Sequence, residues 1–471
     1  MTKLMSRNSR LPLSANRSLA RPERHTQLPF RGSPQPTLGV ELELLIVDPR
    51  TRDLAPGSLP ILDACNAIPV PGVTAELMQS MIEVKTGICD DLAEVRRQLV
   101  PSLQRLHRIA TNRGFGLALG GTHPFHQTST SVVFPDERYE RVIERLAWLA
   151  YQRVVFGLHV HVGVPGPEEA LGVMTLLTPY IPHLLALSAN SPYWHSADTG
   201  LASSRAALYN LLPHAGLPPY FDDWQEFGNY CRVMEDCKVM RSFKDVYWDI
   251  RPRPDLGTVE FRICDMPSSL AETLGLVALT RSLVIWTLRT LEEHPERRRY
   301  DQRHNWVGVE NKWLATRYGL AAPYIDTPDG ARRPLVEDTA ELIDRLLPIA
   351  RERGDEGFLA PFRSLHRFES GSERQRRLYR ASGSWGALID QLMRDLATEL
   401  EVEDTVRRNA PLREPAGRAG PRGLGEPWDI VDEASWESFP ASDSPSWSMG
   451  VAAPAPPLAT GNDSESESDA G

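Results

Sequence analysis

Hydrophobic and polar residues alternate along the central part of the chain with two different periods. Alternation with a period of two is typical of strands, and it predicts strands at residues 38–47, 79–86, 115–121, 157–164 and 257–264. Longer segments with apolar residues three and four positions apart are typical of helices. They predict helices at residues 92–113, 136–151, 268–292, 337–350 and 385–400.

Three of the predicted strands carry chemically reactive side chains on one face. Glu41 and Glu43 alternate with aliphatic residues in the first strand. His159 and His161 do so in the strand at 157–164, and Thr258, Glu260 and Arg262 do so in the strand at 257–264. Each strand alone could be an ordinary amphipathic strand with a solvent-exposed face. Together they predict a charged centre in apolar surroundings, which is costly unless the charge is compensated.

A divalent cation is the compensation that these residue types favour. Carboxylates that share one site raise one another's pKa unless a cation is present. A set of carboxylate oxygens with an imidazole suits a hard cation, and magnesium is usually shared with substrate phosphates. We therefore predict a magnesium or manganese site.

The segment ELMQSMIEVKT (76–86) contributes two further carboxylates, Glu76 and Glu83. On a helix, a separation of seven places both on one face. On a strand, an odd separation places them on opposite faces, so a turn or bulge must intervene if both point inward. For Glu76, a surface carboxylate is the alternative.

Several motifs that bind nucleotides or hydrolyse esters and peptides are missing from the sequence. There is no Gly-Lys dipeptide, hence no Walker A loop, and neither HExxH nor GxSxG occurs. A bound nucleotide would therefore be held by metal and arginine.

The two ends of the chain differ from the centre in charge and composition. Residues 1–36 are rich in Arg and Ser with a net charge of +6, and we predict a disordered arm. A transit peptide fits this composition too, although Pro12 and Pro22 would interrupt its helix. Residues 412–471 are predicted to be a disordered acidic tail, because ten acids and no Lys or Arg follow Arg422.

The charged stretch 292–304 is predicted to be a surface loop. It either separates a sheet-rich part from a helical part or interrupts one common core.

Charge, hydropathy and cysteine use limit the partners and the compartment. Residues 37–422 carry a net charge of about −6 and show no basic patch, so nucleic acid is not an expected partner. No stretch approaches the roughly 20 apolar residues that a membrane helix needs. The five cysteines form no CxxC pair. An odd count without metal spacing favours a reducing compartment, and we expect a cytoplasmic protein.

Seven motifs, in order, resemble the carboxylate–amine ligases of the glutamate–cysteine ligase type 2 family. They are TLGVELELLIVDPRTRDL (37–54), ELMQSMIEVKT (76–86), GGTHPF (120–125), GLHVHVGV (157–164), ALSANSPYWHSADTGLASSRAALY (186–209), WDIRPRPDLGTVEFRICDMP (248–267) and ENKWLATRYGL (310–320). The resemblance covers about residues 37–400. It implies a catalytic domain at 37–411 of the α+β class: a curved, mainly antiparallel sheet that forms a funnel backed by helices, like that of glutamine synthetase.

The resemblance also implies roles for individual residues. The implied metal ligands are Glu41, Glu43, Glu76, Glu83, His159 and Glu260. Arg262 would contact the ATP phosphates and, with Glu260, form the catalytic pair. Asn311 and Lys312 are candidates for ATP binding, and Arg205, Arg251 and His161 are candidates for substrate binding. For the arginines, surface ion pairs are the alternative. Asn311 could instead cap a helix, Lys312 could lie on the surface, and His161 could support a ligand.

The implied reaction joins glutamate to cysteine with ATP, through an acyl phosphate, on small-molecule substrates. Three alternatives remain open from the sequence: another amine or carboxylate, a weakly active protein that binds metal and nucleotide, and a guanidino-kinase activity on the same fold. The sequence also leaves open whether the chain forms a homodimer.

Overall fold

The structure, a computed structural model, describes residues 28–298, 305–326 and 330–409. The predictions for residues 1–27 and 410–471 lie outside these described residues. The strands are β1 (Leu38–Val47), β2 (Val73–Ala75), β3 (Met81–Lys85), β4 (Gly116–Ala118), β5 (Leu158–Gly163), β6 (Tyr193–Trp194), β7 (Ala197–Asp198), β8 (Ala215–Gly216), β9 (Tyr247–Trp248), β10 (Ile250–Arg253), β11 (Thr258–Phe261), β12 (Pro323–Ile325) and β13 (Arg332–Pro334).

Helices connect these strands and cover one face of the sheet. They are α1 (Ser58–Ala67), α2 (Leu92–Asn112), α3 (Glu137–Leu146), α4 (Trp148–Tyr151), α5 (Pro167–Leu177), α6 (Ile181–Ser188), α7 (Ser204–Tyr209), α8 (Trp224–Asp236), α9 (Leu270–Glu293), α10 (Asn305–Tyr318), α11 (Leu335–Glu352), α12 (Gly371–Ser382) and α13 (Trp385–Asn409). Several of these helices begin at a residue whose side chain accepts a hydrogen bond from a backbone N–H of the first turn. For example, Asp91 accepts a hydrogen bond from Glu94 N at the start of α2, and Ser269 accepts one from Glu272 N at the start of α9.

The main sheet has the strand order β10-β11-β5-β1-β3-β2, and β4 pairs with the C-terminal end of β1 on the same edge as β5. Every pairing in this sheet is antiparallel. It is an open sheet, because β10 and β2 are separate edges. The predicted α+β class, with a mainly antiparallel sheet backed by helices, is therefore confirmed.

The apolar face of the sheet packs on helices that supply the core. Val40 and Leu42 of β1 and Leu158 and Val160 of β5 have no exposed surface. Helix α2 contacts β1 and β3, and α9 contacts β5. The core cluster continues through α11 and α13 to Leu400. The parts before and after residues 292–304 thus share one core, which decides between the two alternatives for that loop.

The sequence missed several helices, namely α1, α5, α6, α7, α8, α10 and α12, and burial explains why it missed α5 and α6. Helices α5 and α6 are almost completely buried, so they have no polar face and no helical period. The predicted helix 136–151 is in fact two, because Ala147 adopts a φ of 48° between α3 and α4.

Residues 167–188 and α9 are also long and apolar enough to pass as membrane spans. The expectation that no segment reaches this length was wrong, but most of both segments is buried within the protein, as in core helices.

Residues 28–36, which the sequence assigns to the arm, pack against the domain. The Trp224 indole donates a hydrogen bond to Leu28 O at 2.8 Å, and Ser33 N donates to Val164 O at 2.8 Å. Arg281 Nε donates to Pro36 O at 3.1 Å. Ordered contacts therefore begin before residue 37.

The helix-covered face predicts which substitutions unfold the chain. We expect Leu158→Ala to lower the free energy of unfolding by about 2–5 kcal/mol, because it removes a completely buried side chain from the middle of the sheet. Ile88→Ala is the control, since Ile88 is 58% exposed, and it should change stability by less than about 0.5 kcal/mol. Urea unfolding monitored by circular dichroism measures both; equal effects would contradict this assignment of the core.

Candidate active site

The register of the sheet gathers the polar residues of five strands on one face. Residues directly opposite each other in an antiparallel pair project to the same side. Glu41 lies opposite both His159 and Lys85, and Glu43 lies opposite Glu83. Glu260 lies opposite both His161 and Arg251. The face of the sheet opposite the helices is therefore a continuous charged surface.

The side chains of this surface are buried although they are charged. Glu41 is 3% exposed, Glu83 2% and Glu260 0%. Glu43, His159 and His161 are buried as well. Such carboxylates must be paired, protonated or bound to a cation.

Within the part of the chain that the structure describes, two groups of three residues have the geometry of metal sites, and they share Glu41. Glu41, Glu83 and His159 form one group, and Glu41, His161 and Glu260 form the other; in each, one ligand atom from every residue lies within 4.8 Å of the others. His161, which the sequence placed among the substrate-binding residues, thus lies in the second group. Glu41 could contact two cations at once.

Around Glu43 and Glu83, the negative charge of the site is not neutralised by its own side chains. Burial and the charge of Glu76 raise the pKa of Glu43 to about 7. Burial and the charge of Glu41 raise the pKa of Glu83 to about 8. Burial also opposes the ionisation of Glu41, but the imidazoles of His159 and His161 outweigh it and hold its pKa well below the usual value.

The tautomer of His159 leaves a ligand atom available. Burial and the charge of Arg262 lower the pKa of His159 to about 4, so its imidazole is neutral near pH 7. Nδ1 lies 2.9 Å from Glu41 Oε2. Because Glu41 is ionised, Nδ1 carries the proton and the lone pair is on Nε2. Among the described residues, neither His159 Nε2 nor Glu41 Oε1 has a hydrogen-bond partner. These atoms fit a bound divalent cation, with Glu41 orienting the imidazole as carboxylates do at metal sites.

Glu43 and Glu76 lie outside both groups of three. Glu43 Oε2 accepts a hydrogen bond from Gly157 N, and its Oε1 is 3.8 Å from His159 Nε2. Glu76 lies between β2 and the turn before β3, as the odd spacing to Glu83 required, and is only half-buried. Its charge acts on both Glu43 and Glu83. As metal ligands, Glu43 and Glu76 stay predictions.

Three arginines surround Glu260. Arg251 donates to both of its carboxylate oxygens, at 2.7 and 3.1 Å. Arg253 NH1 donates at 3.3 Å, and Arg262 NH1 donates to Oε1. These charges outweigh the effect of burial and hold the pKa of Glu260 well below its usual value. Arg262, with a side chain 12% exposed, is the most accessible of the three.

Arg205 has contacts that differ from those of a substrate clamp. Its NH1 donates to Ile263 O at 3.1 Å and its NH2 to Arg262 O at 3.0 Å. The guanidinium lies against Gly157, where an added Cβ would be 2.2 Å from NH2. Asp265, buried and 4.0 Å away, accepts from Ser191 and Ser203. Arg205 therefore supports the backbone of Arg262 and packs on the residue whose N–H contacts Glu43.

Asn311 and Lys312 occupy different environments on α10. Asn311 Nδ2 donates to Ile325 O at 2.9 Å and Oδ1 accepts from Ile325 N at 2.8 Å, so the side chain fixes β12. Lys312 is buried and donates to Asp249 at 2.6 Å and to Asn210 at 2.7 Å. Asp249 O in turn accepts from Arg262 N. None of the described contacts of Asn311 supports a role with nucleotide. Lys312, by contrast, is linked to Arg262 through Asp249, which both residues contact.

Several residues of the site were not identified from the sequence. Thr74 donates to Glu83 at 2.9 Å, and Lys85 lies 3.4 Å from the same carboxylate. Thr258, which the sequence placed on the polar face without a role, contacts His161 Nδ1 at 3.1 Å. Lys85 and Arg253 each lie two positions from a recognised residue, so the alternation along a strand could have identified them. Asp249 and Asp265 carry no such pattern, because they lie outside the strands.

Comparison with known proteins shows the family. The sequence profile of glutamate–cysteine ligase family 2 (GCS2) matches residues 37–396. The chain belongs to this family. A protein of Gloeobacter violaceus named "Putative glutamate--cysteine ligase 2" is 39% identical over 376 residues, which cover 79% of this chain and all of that protein. A protein of Mycobacterium sp. (strain JLS) named "Putative glutamate--cysteine ligase 2-1" is 38% identical, over 79% of this chain and 98% of its own length.

Solved structures show the same fold at low sequence identity. The glutamate–cysteine ligase of Francisella tularensis, solved in complex with AMP, superposes with a TM-score of 0.55 at 11% identity, covering 82% of this chain and 97% of that one. A bifunctional glutathione synthetase from Pasteurella multocida gives a TM-score of 0.56 at 16% identity, covering 78% of this chain and 53% of that one. The family and the fold together make this chain an ATP-dependent ligase of the glutamate–cysteine ligase family.

The raised pKa of Glu83 predicts how pH acts on the metal-free protein. The Glu83 carboxyl group holds its proton up to about pH 8 in the folded state but only up to about pH 4.5 in the unfolded state. Between these pH values the folded state binds more protons than the unfolded state, so the free energy of unfolding falls as pH rises. We expect the melting temperature of the wild type in EDTA to fall over this range more steeply than that of Glu83→Gln, and magnesium or manganese to reduce the difference. Parallel pH profiles of the two proteins in EDTA would refute the uncompensated charge at Glu83.

Proposed function

We propose that this chain uses ATP to join the γ-carboxylate of glutamate to an amine, with cysteine as the first candidate. One observation carries the proposal: a buried face of the sheet brings Glu41, Glu83 and His159 together next to Arg262, and Glu41 Oε1 and His159 Nε2 have no hydrogen-bond partner among the described residues. The relatives are named for the glutamate–cysteine reaction, and one structural neighbour was solved with AMP. Both support ATP as the co-substrate.

The residues of the site have distinct parts in this proposal. Glu41, Glu83, His159, His161 and Glu260 would hold magnesium or manganese, with Glu43 and Glu76 next to them. Bound there, a divalent cation would neutralise charge on the β- and γ-phosphates. Arg262 would donate charge-assisted hydrogen bonds to the transferring phosphoryl group.

The chemistry requires positioning rather than a protein nucleophile. A glutamate carboxylate oxygen attacks the γ-phosphorus, the bond to the β-phosphate oxygen breaks, and ADP leaves. The amine then attacks the carbonyl carbon of the acyl phosphate, loses a proton and releases phosphate. Burial of the charged face excludes water, which would otherwise hydrolyse the acyl phosphate.

The cellular setting follows from the same proposal. The five cysteines are free thiols, four of them buried, which supports a reducing, cytoplasmic compartment. The partners are the small-molecule substrates: ATP, an amino acid and an amine. A homodimer would be compatible with this chemistry.

The decisive experiment is an amine panel. Full-length protein is incubated with ATP, magnesium, glutamate and single amines, and ADP, phosphate and the new amide are measured by mass spectrometry. We expect one amide formed per phosphate released, for cysteine or another member of the panel. ATP binding without amine-dependent turnover would favour a protein that binds metal and nucleotide only. ADP formation with a stable phosphorylated guanidine would favour a kinase.

Two substitutions test the metal centre directly. We expect Glu43→Gln and Glu260→Gln to abolish turnover, because each removes a negative charge from the metal and phosphate region. Both variants should stay folded, although Glu260→Gln leaves three arginines without their buried carboxylate and should lower the melting temperature. Asp63→Asn, on α1 and away from the sheet's charged face, is the control and should retain full activity. Near-normal turnover in both Glu variants would refute these assignments.

Arg205 distinguishes a positioning residue from a substrate clamp. Because its guanidinium bonds to Ile263 O and Arg262 O, we expect Arg205→Lys to lower kcat by at least about tenfold. The KM for glutamate should change little. A clamp on the substrate carboxylate, the interpretation from sequence, predicts instead a large rise in KM with kcat preserved. Steady-state kinetics with varied glutamate separates the two.

A further inference from the structure

A cavity lies apart from the residues of the metal centre. It has a volume of about 570 Å³ and opens between α3 and the segment that leads from α8 to β9. Small-molecule sites typically measure about 300–1,000 Å³, so this volume is sufficient for one. None of the metal-ligand candidates lines it.

The walls of this cavity concentrate positive charge. Five cationic side chains line it: Arg138, Arg141, Arg145, Lys238 and Arg241. Such a concentration stands out, because the whole chain has 52 basic against 62 acidic residues. Like charges held around one concavity repel one another and raise the local concentration of anions.

The acidic residues of the cavity do not balance these cations. They are Glu144 and Asp245. Asp245 Oδ1 lies 3.9 Å from Arg145, and Oδ2 accepts from the backbone N–H of Arg241 at 2.8 Å. Arg141 also lies 3.6 Å from Glu137, but this is an exposed pair on one helix, and such pairs are weak. An excess of positive charge therefore faces the cavity.

One wall of the cavity is apolar and aromatic. Val142 and Leu146 of α3 face it together with Val239 and Tyr247. Guanidinium groups match phosphate and carboxylate oxygens in a bidentate way, and the apolar wall would cover the carbon skeleton or ring of the same molecule. The lining thus fits a small organic anion.

The cavity is also connected to the charged face of the sheet. Arg251 donates to Phe243 O at 2.6 Å and to Val246 O, and so holds the segment that forms one wall. The same guanidinium binds Glu260. Arg153 NH1 donates to the hydroxyl of Tyr247, a lining residue, at 3.5 Å.

We propose that this cavity is a binding site for a small molecule with two or more phosphate or carboxylate groups. The site is formed by Arg141, Arg145 and Arg241 at its opening and by Tyr247 on its apolar wall. It is separate from the metal centre, and its test does not depend on the proposed ligase activity.

Calorimetric titration of the full-length protein tests the site, after metal has been removed with EDTA and the EDTA has been removed by dialysis, with pyrophosphate and citrate as probes. The variant Arg141→Ala/Arg145→Ala/Arg241→Ala removes three exposed cations. Arg105→Ala/Arg108→Ala/Arg113→Ala makes the same change of net charge on and after α2, away from the cavity. We expect the first variant to bind at least about tenfold more weakly than the wild type, and the second to bind within about twofold of it.

The outcomes identify the ligand class or overturn the proposal. Tighter binding of pyrophosphate indicates a phosphate ligand, and tighter binding of citrate indicates a polycarboxylate. If the wild type binds neither probe in the millimolar range at low salt, or if both variants weaken binding equally, the proposal is wrong. Hydrogen exchange of residues 238–247 in the wild type, with and without pyrophosphate, checks the site without any variant. We expect protection there, and unchanged exchange would count against the site.

Discussion

The burial of several carboxylates on one face of an antiparallel sheet is the constraint on which the rest of this structure depends. Desolvation makes each charge costly, and closely spaced carboxylates raise one another's pKa. The opposite face of the same strands is aliphatic and packed on helices, so the strands cannot turn these residues toward solvent without exposing the core. The charged face is therefore stable only with a compensating partner.

Compensation differs between the two ends of this face. At Glu260, three arginines supply the positive charge, and the carboxylate stays ionised. At Glu43 and Glu83, the nearby cations do not outweigh burial and like charge. The end with the deficit is where a divalent cation fits, and the end with the arginines is where phosphate groups would be bound. The polarity of the site thus follows from which strand supplies which side chain.

Buried contacts behind the face determine the position of Arg262. Arg205 bonds to its carbonyl oxygen, and Asp249, held by Lys312, bonds to its N–H. The two charged pairs, Arg205 with Asp265 and Lys312 with Asp249, thus lie behind the backbone of Arg262 rather than in the site itself. A site that works by placing groups needs such support, because small displacements of a phosphate-binding residue reduce the rate strongly.

The sequence alone determined the strands with alternating faces, the helices α2, α3, α9, α11 and α13, and the residue types of the site. Alternation at Glu41 and Glu43, and at His159 and His161, is a local property, so the period of two revealed which side chains share a face. It could not reveal α5 and α6, since helices buried on all sides have no period. Only the tertiary structure decided that Glu41 is common to two groups of ligands, because that depends on the register between β1, β3 and β5. It also decided that Arg205 and Asn311 bond to backbone, and that cations from α3 and the segment after α8 surround one cavity. These are contacts between residues distant in the chain, which no local pattern specifies.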